Sequence, residues 1–251
     1  MNGLAEKNEI IRQLKEKILS MEGFDTKADG RQPDFGLGPV SAAFPGGVFP
    51  TGAIHEFISP TETCAAAANG FLAGLLNTLM KNGGTCLWIS NGHKLFAPAL
   101  KFFGLEPHRV VFIDVKTEKE ALWVMEQGLK CNSLAAVVAE LRNISFAESR
   151  RLQLAVETSK VTGFIHRQRP QTENMLACVS RWKIRPLSSH TDGLPGVGFP
   201  RLEVELVKIR SGRPGIWQFR WENGKFRIAT EPEQIKTITK QPAFQKQRQY
   251  A

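Results

Sequence analysis

The chain has 251 residues, 42% of them hydrophobic, enough to bury a full core, and one domain with tails is expected. Its formal charge of +9 biases its partners toward anions without identifying nucleic acid. No run of 18 apolar residues occurs and the first 20 residues have no apolar signal core, so neither a membrane-spanning helix nor a secretory leader is expected, and the chain is expected to be cytoplasmic, with no membrane partner.

Residues 1–22 contain Leu4, Ile10, Ile11, Leu14, Ile18 and Met21 largely at three- and four-residue spacing with Glu and Lys between them, the pattern of an amphipathic helix. Gly23, Gly30, Pro33, Gly36, Gly38 and Pro39 then break the pattern, so 23–39 is expected as a linker. The helix either packs on its own domain or docks on another molecule. From residue 40 onward strands and helices alternate: strands at 54–58, 85–90, 110–115, 135–140 and 163–166, helices at 65–81, 95–103, 118–130 and 147–160. Such alternation predicts an α/β fold with a doubly wound, mostly parallel twisted sheet covered by helices on both faces. Strand-like runs without helices follow at 178–186, 202–210, 216–221 and 225–228. Glu222-Asn223-Gly224 supplies the positive φ angles of a tight turn, so an antiparallel hairpin extends the sheet. The domain is placed at 40–230, and 231–251 reads as a flexible polar tail.

Chemistry-bearing residues are sparse. Cys64, Cys86, Cys131 and Cys178 form no C-x-x-C pair and read as ordinary buried thiols of a reducing compartment. His55 and His93 stand alone in sequence, where zinc needs three or four convergent ligands, so a structural role is preferred and no metal is assigned. Ser149 lacks a nucleophile-elbow pattern. No catalytic residue and no cofactor are assigned.

The segment 59–71, "SPTETCAAAANGF", lies between an apolar strand and a helix, where an α/β nucleotide-binding protein carries its phosphate loop. Such a loop needs glycines so that backbone N–H groups can face phosphate, a lysine for charge and a hydroxyl for magnesium. Against the pattern G-x-x-x-x-G-K-[ST], Ser59 and Cys64 replace the glycines, Ala65 the lysine and Ala66 the hydroxyl residue. Loss of the lysine alone removes a charge-assisted bond of roughly 1.5–3 kcal/mol.

The flanks of this loop resemble a known architecture. "FPGGVFPTGAIHEFISPTET", with Gly46, Gly47, Gly52, Glu56 and Pro60 in register, is similar to the approach to the ATP-binding core of RecA-type recombinases. "GGTCLWISNGHKL", "LAAVVAEL" and "RLEVELVKIRSGRPGIWQFRW" resemble the strands that follow. By this resemblance Gly92 stands where a glutamate would activate water, and Glu140 stands where an aspartate would coordinate magnesium. The two DNA-binding loops shorten to 142–148 and 167–174. A RecA-like core without ATPase residues, carrying also "ALWVMEQGL" and "SRRLQLAVE", resembles the ImuA family of bacterial DNA-damage-response proteins over about 40–228. That resemblance implies a non-enzymatic accessory protein in SOS-type, error-prone translesion synthesis. Its implied partners are an ImuB-like Y-family-related protein, an error-prone polymerase and, further, RecA and single-stranded DNA. The SulA cell-division inhibitor resembles the same degenerate core and is the competing reading; an enzyme with an unrecognised nucleotide site is a third.

Charge concentrates toward the carboxy terminus. From His166 to Arg227 there are twelve Lys and Arg against five Asp and Glu, a net +7 of the total +9. Lys208 and Arg210 share a strand face with Arg213 in the turn beyond, and together with Arg167 and Arg169 they are candidate DNA or partner contacts. Arg150 and Arg151 on the helix at 147–160 are a second candidate contact.

Overall fold

A computed structural model describes residues 7, 9–11, 13–14, 35–92, 95–190 and 198–229. Among these residues nine strands form one sheet: β1 (Ile54–Ser59), β2 (Thr85–Ser90), β3 (Val110–Asp114), β4 (Leu134–Leu141), β5 (Thr162–Gln168), β6 (Ser180–His190), β7 (Phe199–Ile209), β8 (Gly215–Glu222) and β9 (Lys225–Ile228). Their order is β3-β2-β4-β5-β1-β6-β7-β8-β9. The first six in this row run parallel and β7 to β9 fold back antiparallel. The carboxy-terminal extension is therefore a four-stranded meander rather than a single hairpin, with Asn223 and Gly224 at positive φ in its last turn.

Three α-helices connect the parallel strands: α1 (Glu62–Leu79), α2 (Glu118–Leu129) and α3 (Phe146–Ser159). α2 and α3 begin with capping boxes, Thr117 with Glu120 and Ser145 with Glu148, in which side chains satisfy amides that the first turn leaves open. The run at 95–103 is realised as a 3-10 helix, Ala97–Phe103, started by Pro98 and stopped by the left-handed Gly104.

α1 is buried nearly all round because it is wrapped. Phe57, Phe164 and Trp182 of the sheet lie on one side of Phe71, and Phe226 of β9 contacts the same ring at 4.8 Å. Gly74 permits this closure: a Cβ there would lie 2.5 Å from the Phe226 ring. The opposite face of the central strands packs Ile54, Val137 and Ile165 against Met125 and Leu129 of α2 and Leu152 and Val156 of α3.

Coverage on both faces holds for the central parallel strands only. The second face of β6 to β9 has no apolar cover among the described residues; it carries Arg185, Glu203, Glu205, Gln218 and Arg220. The linker expectation also needs correction, since Phe35 and Leu37 are already buried in the α1-side core. Of the amino-terminal segment, Lys7, Glu9, Ile10, Ile11, Gln13 and Leu14 are helical and exposed; its remainder and the tail 231–251 lie outside the described residues. No described helix is long and apolar enough to cross a membrane.

Candidate functional site

The β1–α1 junction is where a phosphate loop would lie, and it has closed. β1 runs through Ser59 and α1 begins at Glu62, three residues earlier than the sequence suggests, leaving only Pro60 and Thr61 between them. Thr61 Oγ1 accepts from the Cys64 amide at 3.2 Å, a cap that takes up one of the donors an anion would need. Cys64 and Ala65 are buried in the first turns of α1, and Ala66 is exposed. Glu62 adds a carboxylate at the helix amino terminus, favourable to the helix dipole and repulsive to phosphate. Arg169, in the left-handed region at φ 49°, pairs with Glu62 across solvent at 3.3 Å.

At the carboxy ends of β2, β4 and β5 a polar crevice of about 890 Å³ is lined by Asn91, Gly92, Glu118, Glu140, Arg142 and Arg169, among others. Glu140 is nearly buried and accepts a hydrogen bond from Trp88 Nε1 at 3.0 Å, a structural tie between β2 and β4. Gly92 turns through φ 84° and donates its amide to Asp114 Oδ1 at 2.8 Å, so the position suits a glycine rather than a glutamate. Beside Glu140 in register is His166, whose Nε2 lies 2.8 Å from Ser59 Oγ while its Nδ1 is buried with no hydrogen-bond partner. Burial lowers the His166 pKa to about 4.

His55 is fully engaged in structure. Its Nε2 donates to the Pro50 carbonyl at 2.7 Å, which leaves Nδ1 to accept from the Ser180 hydroxyl at 2.6 Å, and burial again lowers its pKa to about 4. His93 lies outside the described residues. Among those residues no group of three or more His, Cys, Asp and Glu side chains converges as a metal site. Cys64, Cys86 and Cys178 are buried, but Cys131, at a helix exit, is exposed. Burial pushes the Cys178 thiol up to about 12, so it is inert at neutral pH.

Arg167 must be removed from the candidate surface contacts. Its side chain is wholly buried, with Nη1 on Glu56 Oε1 at 3.0 Å and Nη2 on the Thr172 carbonyl at 2.6 Å. Arg181 reaches the other oxygen of the same carboxylate at 2.6 Å and also holds the Asn174 carbonyl. One buried glutamate thus anchors two guanidiniums, and those pin the β5–β6 connection to the sheet. Sequence reasoning found Glu56 only as a landmark of resemblance; its pairing with residues more than a hundred positions away has no local signature.

The remaining candidate cations are dispersed. Arg150 is exposed on α3, whereas Arg151 pairs with Glu126 of α2. A hydrogen bond from Lys130, with the Arg151 charge added, holds the Glu126 carboxyl below its usual range. A β-bulge beside Arg181 shifts the alternation of β7, leaving Lys208 half-buried with Nζ 3.5 Å from the Leu176 carbonyl. Arg210 is half-buried and Arg213 is exposed in the β7–β8 turn, where its amide donates to the Ala43 carbonyl at 2.8 Å. A groove between α2 and α3, of about 810 Å³, escaped the sequence reading; Leu122, Ile144 and Leu152 line it beside an exposed Trp123. The helical period marks Trp123 as off the buried stripe, which was the available signal.

No protein-family model matches the chain. Protein ImuA of Caulobacter vibrioides, in each of two strains, is 36% identical over 200 residues, covering 73% of this chain and 80% of that protein. Among solved structures, the crystal structure of the RadB recombinase superposes with a TM-score of 0.54 at 15% identity, covering 78% of this chain and 98% of that one. The latter likeness shows the fold alone: an α/β, RecA-like core with helices on a mostly parallel sheet and antiparallel strands at its end.

Proposed function

The chain belongs to the ImuA family, and on that premise we propose that it is a non-enzymatic accessory protein of damage-induced mutagenesis, an adaptor in error-prone translesion synthesis. The observation that supports the non-enzymatic part is the two-residue β1–α1 junction, with Thr61 on the Cys64 amide and Glu62 at the helix terminus. Phosphoryl transfer is carried by positioning and electrostatics, and that junction offers no lysine and no glycine-built amide cradle, while its Thr61 and Thr63 hydroxyls bond to each other at 2.9 Å. The family assignment supports the biological role, with an ImuB-like Y-family-related protein and an error-prone polymerase as partners. RecA and single-stranded DNA are further contacts in this reading.

The test is affinity capture of the full chain from cells after DNA damage, with identification of what it retains, alongside a single-turnover ATPase assay. Recovery of a Y-family-related protein or error-prone polymerase, with no turnover above background, is the expected result. Recovery of a division protein without any polymerase component would replace this reading with a SulA-like one. ATP hydrolysis abolished by Glu140→Ala would overturn the non-enzymatic assignment.

A further inference from the structure

Antiparallel register brings three arginines side by side. Arg201 of β7 is paired with Arg220 of β8, and Arg220 with Arg227 of β9, so their side chains share one face of three adjacent strands. Neighbouring strands lie about 4.8 Å apart, and like charges directly opposite one another destabilise a sheet. This is also the face of the meander that lacks apolar cover among the described residues.

Among the described residues the adjacent rows neutralise themselves, and this one does not. Arg185 holds Glu203 at 2.6 Å and Glu205 at 3.0 Å, and Lys183 holds Glu173 at 2.8 Å. Around the arginine row, Arg201, Arg220, Arg227 and Lys225 meet only Glu222 among the described acids. It lies 3.1 Å from Arg220 Nε and 3.8 Å from Arg227 Nε. Among the described residues, four cations less one carboxylate leave an excess of +3. Arg201 donates to Gln218 at 3.0 Å, but its Nε is buried with no hydrogen-bond partner. Phe199, two residues from Arg201 on the alternation of β7, is 39% exposed.

We propose that Arg201, Arg220 and Arg227, aligned across β7, β8 and β9, bind the phosphates of single-stranded nucleic acid, with Phe199 beside them as a stacking platform for a base. The strip crosses three adjacent strands, which suits an extended polyanion rather than a small nucleotide. Guanidiniums spaced at strand separation span about two consecutive phosphates, and an exposed aromatic next to a cationic row is how sequence-tolerant single-strand binding is built. An acidic protein segment would use the charges but not the ring. This strip is distinct from Lys208, Arg210 and Arg213, and it deepens the nucleic-acid part of the proposed function. Because binding is measured on the purified chain alone, its failure leaves the adaptor role standing.

The experiment follows fluorescence anisotropy of a labelled oligothymidylate with the full chain across a salt series. In R201Q/R220Q/R227Q the slope of log K against log salt should flatten by about 1.4, since the row spans about two phosphates and each phosphate neutralised contributes roughly 0.7 on a single strand. Thermal stability should hold or rise as the repulsion is removed. Phe199→Ala should weaken binding roughly tenfold and leave the slope unchanged. If the triple variant does not fold, Arg220→Gln alone should flatten the slope by about 0.7. Absence of oligonucleotide binding by the wild type at low salt, or an unchanged slope in folded variants, would overturn the proposal. So would tighter binding of duplex than of single strand. Displacement by polyglutamate as effective as by unlabelled oligonucleotide, with Phe199→Ala silent, would assign the strip to an acidic protein segment instead.

Discussion

Replacing Glu56 by Gln is expected to be the most damaging isosteric change in the protein. The carboxylate is fully buried and is the shared acceptor of Arg167 at 3.0 Å and Arg181 at 2.6 Å, one negative charge against two positive ones. Neutralising it leaves two guanidiniums in the interior with no counter-charge, and breaking a buried pair in this way costs about 3–5 kcal/mol. Gln keeps one acceptor oxygen and nearly the same volume, so the lower end applies, about 3 kcal/mol. For a domain of this size that is a fall in Tm of roughly 6–12 °C. Arg167→Met should cost less, because it leaves a one-to-one pair of Glu56 with Arg181. The Glu56→Gln/Arg167→Met double variant should cost less than the sum of the singles, as residues of one network do. Thermal and urea unfolding give the magnitudes. Amide exchange should be faster at 169–177 in both single variants, since the guanidiniums hold the Thr172 and Asn174 carbonyls. A Glu56→Gln protein within about 1 kcal/mol of wild type, or an Arg167→Met protein less stable than it, would refute the charge-imbalance reasoning.

His55 and His166 titrate near 4 in the folded chain against about 6.5 unfolded, so acid protonates the unfolded state first. The stability each contributes is fully present above about pH 6.5 and declines as pH falls toward 4; at pH 5 the loss is about 2 kcal/mol per histidine, and urea unfolding of His166→Leu at pH 7.5 and 5.0 should show roughly half the acid sensitivity of wild type. Restoring Cys64→Gly, Ala65→Lys and Ala66→Thr together should leave ATP hydrolysis at background in a single-turnover assay, because the helix still starts at Glu62 and no loop opens around the lysine. Gly92→Glu should not supply the missing base and should lower stability by about 1–2 kcal/mol in urea unfolding, since φ 84° is unfavourable for a side chain; a stabilised variant would show that the turn relaxes freely.

The parallel core was legible because its signals are local. Apolar runs of strand length, helical spacing and the capping residues Thr117 and Ser145 report on their own segments, and observed element limits lie within a few residues of the expected ones. The start of α1 was missed because the phosphate-loop pattern was imposed on 59–66, whereas Thr61 and Glu62 already carried the signature of a helix start. Cover on one face only beyond β1 was not legible, because alternation in β6 to β8 says which residues face a core, not whether anything covers the other side.

By itself, then, the amino-acid order determined the α/β class, the loss of the phosphate-binding residue types and the excess of positive charge in the carboxy-terminal half. Only the tertiary structure decided what each charge does. Arg167 and Arg169 are alike in sequence, yet one is sealed onto Glu56 and the other faces solvent at Glu62. Arg220 and Arg227 face each other across a local hairpin, but Arg201 is distant from both along the chain, and only the register of β7 and β8 sets it in their row. Burial and strand pairing are long-range outcomes, and the interaction energy of a charge depends on the partner and dielectric they bring to it rather than on the residues beside it in sequence.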